Sequence, residues 1–242
     1  MITVCMATYN GEKYIKIQLD SIISQIDAED EIIISDDGST DRTLQIIENI
    51  GDKRIKVFQH KKENNFPNYS FHKITKNFEN ALQYAKGDLI FLSDQDDIWL
   101  PNKVTTVKLR IKDNWLLLHD CKIIKENKDL INNSYFNKNN SKPGLLNNIV
   151  NSSYLGCCMA FKKELLTISL PFPLKPTPHD VWIGLIAEWK RKVIFIDDKL
   201  IQYRRHESNM STSGELSGFS FKMKLTYRYI LVKELLKKLF EH

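Results

Sequence analysis

Several things are scarce in this chain, and each scarcity removes a class of protein. No window of its 242 residues approaches eighteen consecutive apolar residues, so no membrane-spanning helix is expected. Only four cysteines occur, Cys5, Cys121, Cys157 and Cys158, with no Cys-x-x-Cys spacing and two of them adjacent. That pattern argues against a zinc site or a disulfide framework and for a reducing cytosol. The first residues, Met1-Ile2-Thr3-Val4-Cys5-Met6-Ala7, carry no basic flank and run straight into a strand pattern, unlike a secretory signal. Glycine-rich phosphate loops are missing: after the first apolar run stands Asn10-Gly11-Glu12, with a single glycine and an acidic neighbour. No stripe of interleaved basic and aromatic residues marks the body of the chain, and there is no internal repeat. The formal charge of +5 is unevenly spread, with a net +4 in residues 219–242 and about +1 in all the rest. A nearly neutral body argues against nucleic acid as a partner.

What is present is an alternation. Residues 2–8 form an apolar, β-branched run suited to a central parallel strand, and residues 12–26 follow with helical spacing. Residues 31–35, 54–59 and 88–92 read as further strands. Between them lie helices over 43–50, capped by Ser39 or Thr40, and over 71–85, stopped at Gly87. Pro101 opens another helix, to about Asp113. The order βαβαβαβα predicts an α/β fold with a mostly parallel central sheet and helices on both faces. Beyond Asn114 the pattern changes. Residues 115–124 and 154–161 read as strands, 178–190 as a helix, and 193–197 and 199–205 as two more strands. The Asn- and Lys-rich stretch 125–151 reads as loop or short helices. One domain over 1–212 is expected, followed by a basic amphipathic helical segment over 213–242.

Two acidic stretches follow two of the predicted strands: Ser35-Asp36-Asp37-Gly38-Ser39-Thr40-Asp41 and Ser93-Asp94-Gln95-Asp96-Asp97. Open α/β sheets bind ligands outside the carboxyl ends of their strands. A lone carboxylate there is ordinarily a helix cap, and one of Asp36 and Asp37 suits an Asx turn. Three carboxylates within four residues are different, because like charges repel unless a cation or donors compensate. A divalent, oxygen-preferring ion such as Mn²⁺ or Mg²⁺ fits.

Thr8-Tyr9-Asn10-Gly11-Glu12, the first acidic stretch, Gly87-Asp88, and Ser93-Asp94-Gln95-Asp96-Asp97-Ile98-Trp99, in that order, resemble glycosyltransferase family 2. These are inverting enzymes with the GT-A nucleotide-diphospho-sugar transferase fold. The resemblance spans about residues 2–210 and points to the bacterial surface-polysaccharide branch. It implies a nucleotide-sugar-binding half over 1–113 and an acceptor half over 114–212. Tyr9 would stack near the base, with Ala7 and Thr8 placing backbone beside it and Asn10 and Glu12 in the same nucleotide-sugar-binding loop. Asp37 would accept from the imide N–H of uracil or thymine. Asn77 would touch the nucleotide, Lys73 the phosphates, and Asp94 the ribose, with Gln95 alongside. Asp96 would hold the metal.

Pro178-His179-Asp180-Val181-Trp182 falls where the family keeps its catalytic carboxylate, so Asp180 would be the general base. A helix N-cap is its plainer reading. His179, Trp182 and Gly156 would line the acceptor side, Trp182 being equally suited to a core. Tyr203-Arg204-Arg205-His206-Glu207-Ser208-Asn209-Met210-Ser211 resembles a segment whose histidine completes the metal site. His206 would then be the second ligand, and Arg204 or Arg205 a diphosphate contact. Cys157 and Cys158 read as packing.

The activity so implied moves a hexose or deoxyhexose from a UDP- or dTDP-sugar to a hydroxyl of a growing, lipid-linked bacterial surface glycan. It would use Mn²⁺ or Mg²⁺ and close a lid over residues 211–217. Two other classes fit less well. A nucleotidyltransferase of related fold would need the missing phosphate loop, and a non-catalytic nucleotide-sugar-binding module would have no use for Asp180. The tail mixes apolar and aromatic residues with lysines. It reads as a helix packed on the domain or as one lying on an anionic membrane. The second option would put a cytoplasmic protein at the inner face of the plasma membrane.

Overall fold

The computed structural model describes residues 1–60, 69–206 and 221–240. Its first strand, β1 (Ile2–Thr8), is buried at every position but Ala7, and β2 (Glu31–Asp36) is buried throughout. Successive side chains of a strand point to opposite faces, so unbroken burial needs cover on both sides of the sheet. That cover comes from the helices between strands: α1 (Ile15–Ile23), α2 (Thr43–Ile50) and α3 (Ser70–Gln83). With β3 (Ile55–Gln59) and β4 (Leu89–Ser93) they form the expected alternation, and the strands lie in the order β3-β2-β1-β4, all parallel.

The second half extends the same sheet. Beside β4 lies β8 (Met159–Lys162), antiparallel, then β6 (Leu116–Lys125), antiparallel to β8 and parallel to β9 (Val193–Arg205). Two short strands finish it, β5 (Ile98–Trp99) on β9 and β7 (Leu130–Asn132) on β6, both antiparallel. The sheet is therefore mixed, with six strands running one way and three the other.

Four local expectations are corrected. The stretch over 193–205 is one strand: the register with β6 slips between His119↔Ile196 and Asp120↔Lys199, so Asp197 and Asp198 are absorbed as a bulge. The 154–161 stretch opens as a 3₁₀ turn at Gly156–Cys158 before β8 begins. Helix α3 stops at Gln83, short of Gly87; that glycine is needed because a Cβ there would stand 2.5 Å from the Thr3 nitrogen. Neither Ser39 nor Thr40 caps α2, whose first N–H goes to the Asp41 carboxylate (2.9 Å).

The 125–151 stretch holds β7, α5 (Tyr135–Asn139) and α6 (Leu145–Val150). Asp120 anchors α5, accepting from the Ser134 hydroxyl (2.6 Å) and the Phe136 N–H (2.9 Å). Glu188, on α8 (His179–Trp189), anchors α6 through the Gly144 N–H (2.7 Å). The remaining helices are α4 (Lys103–Ile111), α7 (Lys163–Ser169) and α9 (Phe221–Phe240). Leu231 and Leu235 bury one side of α9, and Arg228 donates to the Val150 carbonyl at 2.6 Å. All four cysteines are buried and free.

Candidate active site

Because β1, β2 and β4 run side by side and parallel, the loops after Thr8, Asp36 and Ser93 leave the same edge of the sheet. They are tied together residue by residue. Asp36, fully buried, accepts from the Gly38 and Ser39 N–H groups (3.0 and 2.8 Å) and from the Thr8 hydroxyl (2.9 Å). It is the turn-forming member of its pair. Asn10, at φ 48°, accepts from the Thr40 N–H (2.9 Å), and Glu12 accepts from the Arg42 N–H (3.1 Å). That contact, more than any other, holds the Glu12 carboxyl below its ordinary range. Gln95 exchanges hydrogen bonds with the Tyr9 backbone, both at 3.0 Å. Asn10, Glu12 and Gln95 thus brace the loops, while the Tyr9 side chain is exposed.

Asp37 turns one oxygen to His60 Nδ1 (3.0 Å). Asn77, buried, donates to the Thr8 carbonyl (3.3 Å), and its own carbonyl oxygen has no partner. A buried acceptor left unmatched is costly, so it points to a missing donor. Ala7 is half-buried at the end of β1, and Lys73 is exposed on α3.

The second acidic turn meets the end of β9. His206 Nε2 stands 2.8 Å from the Asp96 carboxylate, and the imidazole stacks on Tyr14 (5.1 Å between centroids). Arg204 is corrected from a diphosphate contact to a buried clamp. Its guanidinium donates to the carbonyls of Asp96 (2.8 Å) and Glu126 (2.7 Å) and lies 4.9 Å from the Tyr14 ring centre. Its backbone N–H donates to Asp97 (2.9 Å), whose second oxygen is buried and unmatched. Burial first, then the charges of Asp96 and Asp94, push Asp97 well above the carboxylate range. Burial, Asp96 and Asp180 likewise push Asp94 up to about 7. Carboxylates held this close call for positive charge. Oxygen donors with one imidazole suit Mn²⁺, and suit Mg²⁺ through the oxygens. Ligand atoms of Asp94, Asp97 and Cys157 also lie within 4.8 Å of one another.

Asp180 sits in the first turn of α8, two residues past Pro178, which takes the cap position. A Cβ on Gly156 would stand 3.8 Å from the Asp180 Cβ, and the Asp180 charge is among the causes that raise the Asp94 pKa. His179 is buried against Phe78 (ring centroids 4.2 Å apart), and a Cβ on Gly156 would stand 3.0 Å from its Nε2. Trp182 is corrected to core: it is 1% exposed, and its indole donates to the Ser169 carbonyl at 3.0 Å. The lid expected at 211–217 lies outside the described residues.

Two participants escaped the sequence reading. Tyr14, there only one apolar position of a helix, lies between His206 and Arg204. Lys103 is wholly buried, donates to the Cys157 carbonyl (2.8 Å) and lies 4.1 Å from the Trp99 ring centre. An exposed lysine at a helix start looks the same in sequence, so nothing there could have found it.

Known proteins share this sequence pattern and this fold. The Escherichia coli "UDP-Glc:alpha-D-GlcNAc-diphosphoundecaprenol beta-1,3-glucosyltransferase WfgD" is 24% identical over 217 residues, covering 88% of this chain and 80% of its own. The Shigella flexneri "dTDP-rhamnosyl transferase RfbG" is 29% identical, covering 84% and 72%. Among solved structures, S. aureus TarS 1–349 with UDP-GlcNAc has the same fold, with a TM-score of 0.69 at 24% identity. That match covers 96% of this chain, which spans only 66% of the TarS chain. Mycobacterium tuberculosis glucosyl-3-phosphoglycerate synthase, with Mn²⁺, UDP and glucosyl-3-phosphoglycerate, matches at TM-score 0.58 and 19% identity, covering 98% and 79%. The sequence model of "Glycosyl transferase family 2" matches residues 3–168, from β1 through both acidic turns and beyond β8, and the chain belongs to that family.

Proposed function

We propose that this glycosyltransferase moves a hexose or deoxyhexose from a uridine or thymidine diphosphate sugar to a hydroxyl of a lipid-linked surface glycan, with inversion. The observation that carries the proposal is the 2.8 Å contact of Asp96 with His206, on a turn whose Asp94 also feels the charge of Asp180. The names of the relatives support it, one being a UDP-Glc enzyme acting on a diphosphoundecaprenol-linked sugar and another a dTDP-rhamnosyl transferase.

The chain's own residues divide the work. Tyr9 offers an exposed ring for the base, and Asp37 accepts the imide N–H of uracil or thymine. The unmatched carbonyl of Asn77 takes a nucleotide donor, Asp94 a ribose hydroxyl, and Lys73 faces the phosphates. Asp96 and His206 would hold Mn²⁺ or Mg²⁺, which when bound supplies positive charge to the diphosphate. Asp180 takes the proton of the acceptor hydroxyl as that oxygen bonds to the anomeric carbon. The bond to the diphosphate breaks on the opposite side of the sugar, the nucleoside diphosphate leaves with its electron pair, and Asp180 passes its proton to water. The acceptor's lipid would bring the enzyme to the inner face of the plasma membrane, with the outer side of α9 against it.

The decisive assay is nucleoside diphosphate release, with and without Mn²⁺, from wild type and Asp180→Ala. Wild type is expected to depend on the ion, and Asp180→Ala to lose about 10²- to 10⁴-fold in rate. Equal release from both would remove Asp180 as base, and no release at all would make this a binding module.

A further inference from the structure

Helix α1 does more than cover the sheet. It is fastened on both flanks of the second acidic turn: Gln18 donates to the Ser93 hydroxyl before the turn (2.7 Å), and the Ser21 hydroxyl accepts from the Trp99 N–H after it (3.0 Å). Tyr14 stands at the N-cap of this helix, where its own N–H and that of Ile15 both donate to the Gly11 carbonyl at 3.0 Å. Gly11 is held in turn by the Thr43 hydroxyl, which accepts its N–H at 2.7 Å. The backbone of Tyr14 is thus fixed against the start of α2 and against both flanks of the turn.

Its half-buried ring takes two partners from the end of β9. Residues two apart on an extended chain share a face. Arg204 and His206 accordingly meet the same ring, the guanidinium 4.9 Å from its centre and the imidazole stacked on it, with 5.1 Å between centroids and 26° between planes. Arg205, between them, reaches the Tyr203 hydroxyl instead (3.3 Å). The Arg204 side cannot yield, because that guanidinium is buried and donates to the Asp96 and Glu126 carbonyls at 2.8 and 2.7 Å. The Glu126 carboxylate is paired in addition with Lys13, the neighbour of Tyr14. The ring is therefore a fixed backstop for His206, whose Nε2 faces Asp96 at 2.8 Å.

We propose that Tyr14 is a positioning residue for the metal site, holding the His206 imidazole toward Asp96 before a divalent cation arrives. That assignment rests on Asp96 and His206 being the metal ligands. Coordination draws electron density out of an imidazole, and the negative face of an aromatic ring favours an electron-poor partner. A ligand already held in place also loses little freedom when the ion binds. Side chains that orient the ligands of a metal commonly change its affinity by about 10- to 100-fold. Tyr9, exposed at the other end of the same loop, is the ring offered to the base, so one short loop serves both ends of the nucleotide.

The test is Mn²⁺ binding by the full chain in the presence of UDP, read as loss of the free-ion EPR signal. The proteins compared are wild type, Tyr14→Phe, Tyr14→Leu, His206→Ala and the double variant Tyr14→Leu/His206→Ala. Tyr14→Phe keeps the ring and should bind as wild type does, whereas Tyr14→Leu is expected to weaken the Kd for Mn²⁺ about tenfold. His206→Ala should weaken it at least as far, and the double variant no further than His206→Ala alone, because the ring acts through the imidazole. A melting curve identifies a Tyr14→Leu chain that does not fold, and Tyr14→Met then takes its place. Wild-type affinity in Tyr14→Leu, or losses that add in the double variant, would overturn the proposal and leave His206 a ligand. Wild-type affinity in His206→Ala, or a wild type that binds no Mn²⁺, would overturn the metal assignment and the proposal with it.

Discussion

Lys103 is a buried ammonium with only partial compensation. The Cys157 carbonyl takes one of its protons, the Trp99 ring faces it, and nearby Asp97 adds favourable charge. Burial still outweighs these and lowers its pKa to about 8 from the model-compound value of 10.5. The sign follows from proton counting. From roughly pH 8 to 10.5 the unfolded chain keeps a proton that the folded chain has shed, so stability rises with pH through that window. Below it both states are protonated, and the penalty is constant. Lys103→Met has no such group. The stability of wild type relative to Lys103→Met should therefore grow by on the order of 3 kcal/mol between pH 7.5 and 10.5. Urea unfolding at the two pH values checks this, and a pH-independent difference would refute it. Arg204 teaches a related lesson. Its charge serves two backbone carbonyls and the Tyr14 face, so it fixes the Asp96 turn and leaves phosphate to others.

At the scale of elements, α9 has two unlike sides. Leu231 and Leu235 face the body, while Leu225, Tyr229, Leu236 and Phe240 are exposed at spacings that bring them onto one stripe. Lys222, Lys233 and Lys237 are exposed beside it. No helix among the described residues is long and apolar enough to cross a membrane, so this face would lie on a surface. Each lysine near an anionic bilayer contributes about 1 kcal/mol. Wild type should thus float with phosphatidylglycerol vesicles and be released by salt, and K222E/K233E/K237E should bind about 10²-fold more weakly. Equal flotation of the two would discard the membrane contact.

The same scale explains what could be read beforehand. Strands β1, β2 and β4 were legible because burial on both faces writes itself as an unbroken apolar run. The two-residue β5 carries no such run and exists only because β9 passes beside it. Asp197 and Asp198 looked like a break because a bulge, which tolerates them, depends on the partner strand. The contact of Asp96 with His206 was legible through motif resemblance. The burial of Arg204 and Lys103 was not, because it depends on which elements meet, whereas for Trp182 the core was one of the two readings.

For the whole molecule, the mixed sheet is a floor, and the nucleotide contacts proposed above all fall on its parallel half. Asp37 lies beyond β2, Asn77 on α3 and Asp94 beyond β4, so a donor that touches all three cross-links loops far apart in sequence. Such a ligand binds only the folded chain and must raise its melting temperature. At a concentration 100 times Kd the gain is about 2.7 kcal/mol, or roughly 5–10 °C for a chain of this size. Asp37 adds a base preference. With one oxygen on His60, it has the other for a donor, and uracil and thymine present N3–H. Cytosine is the same size, but its N3 is an acceptor, so the carboxylate would face a lone pair at a cost of about 1–3 kcal/mol. With Mn²⁺ present, UDP and dTDP should therefore each raise Tm at least twice as far as CDP at equal concentration. Asp37→Asn, whose amide can donate to that N3, should narrow the gap. Equal shifts with UDP and CDP in wild type would remove Asp37 from the base site, and no shift with any nucleotide would remove the donor pocket altogether.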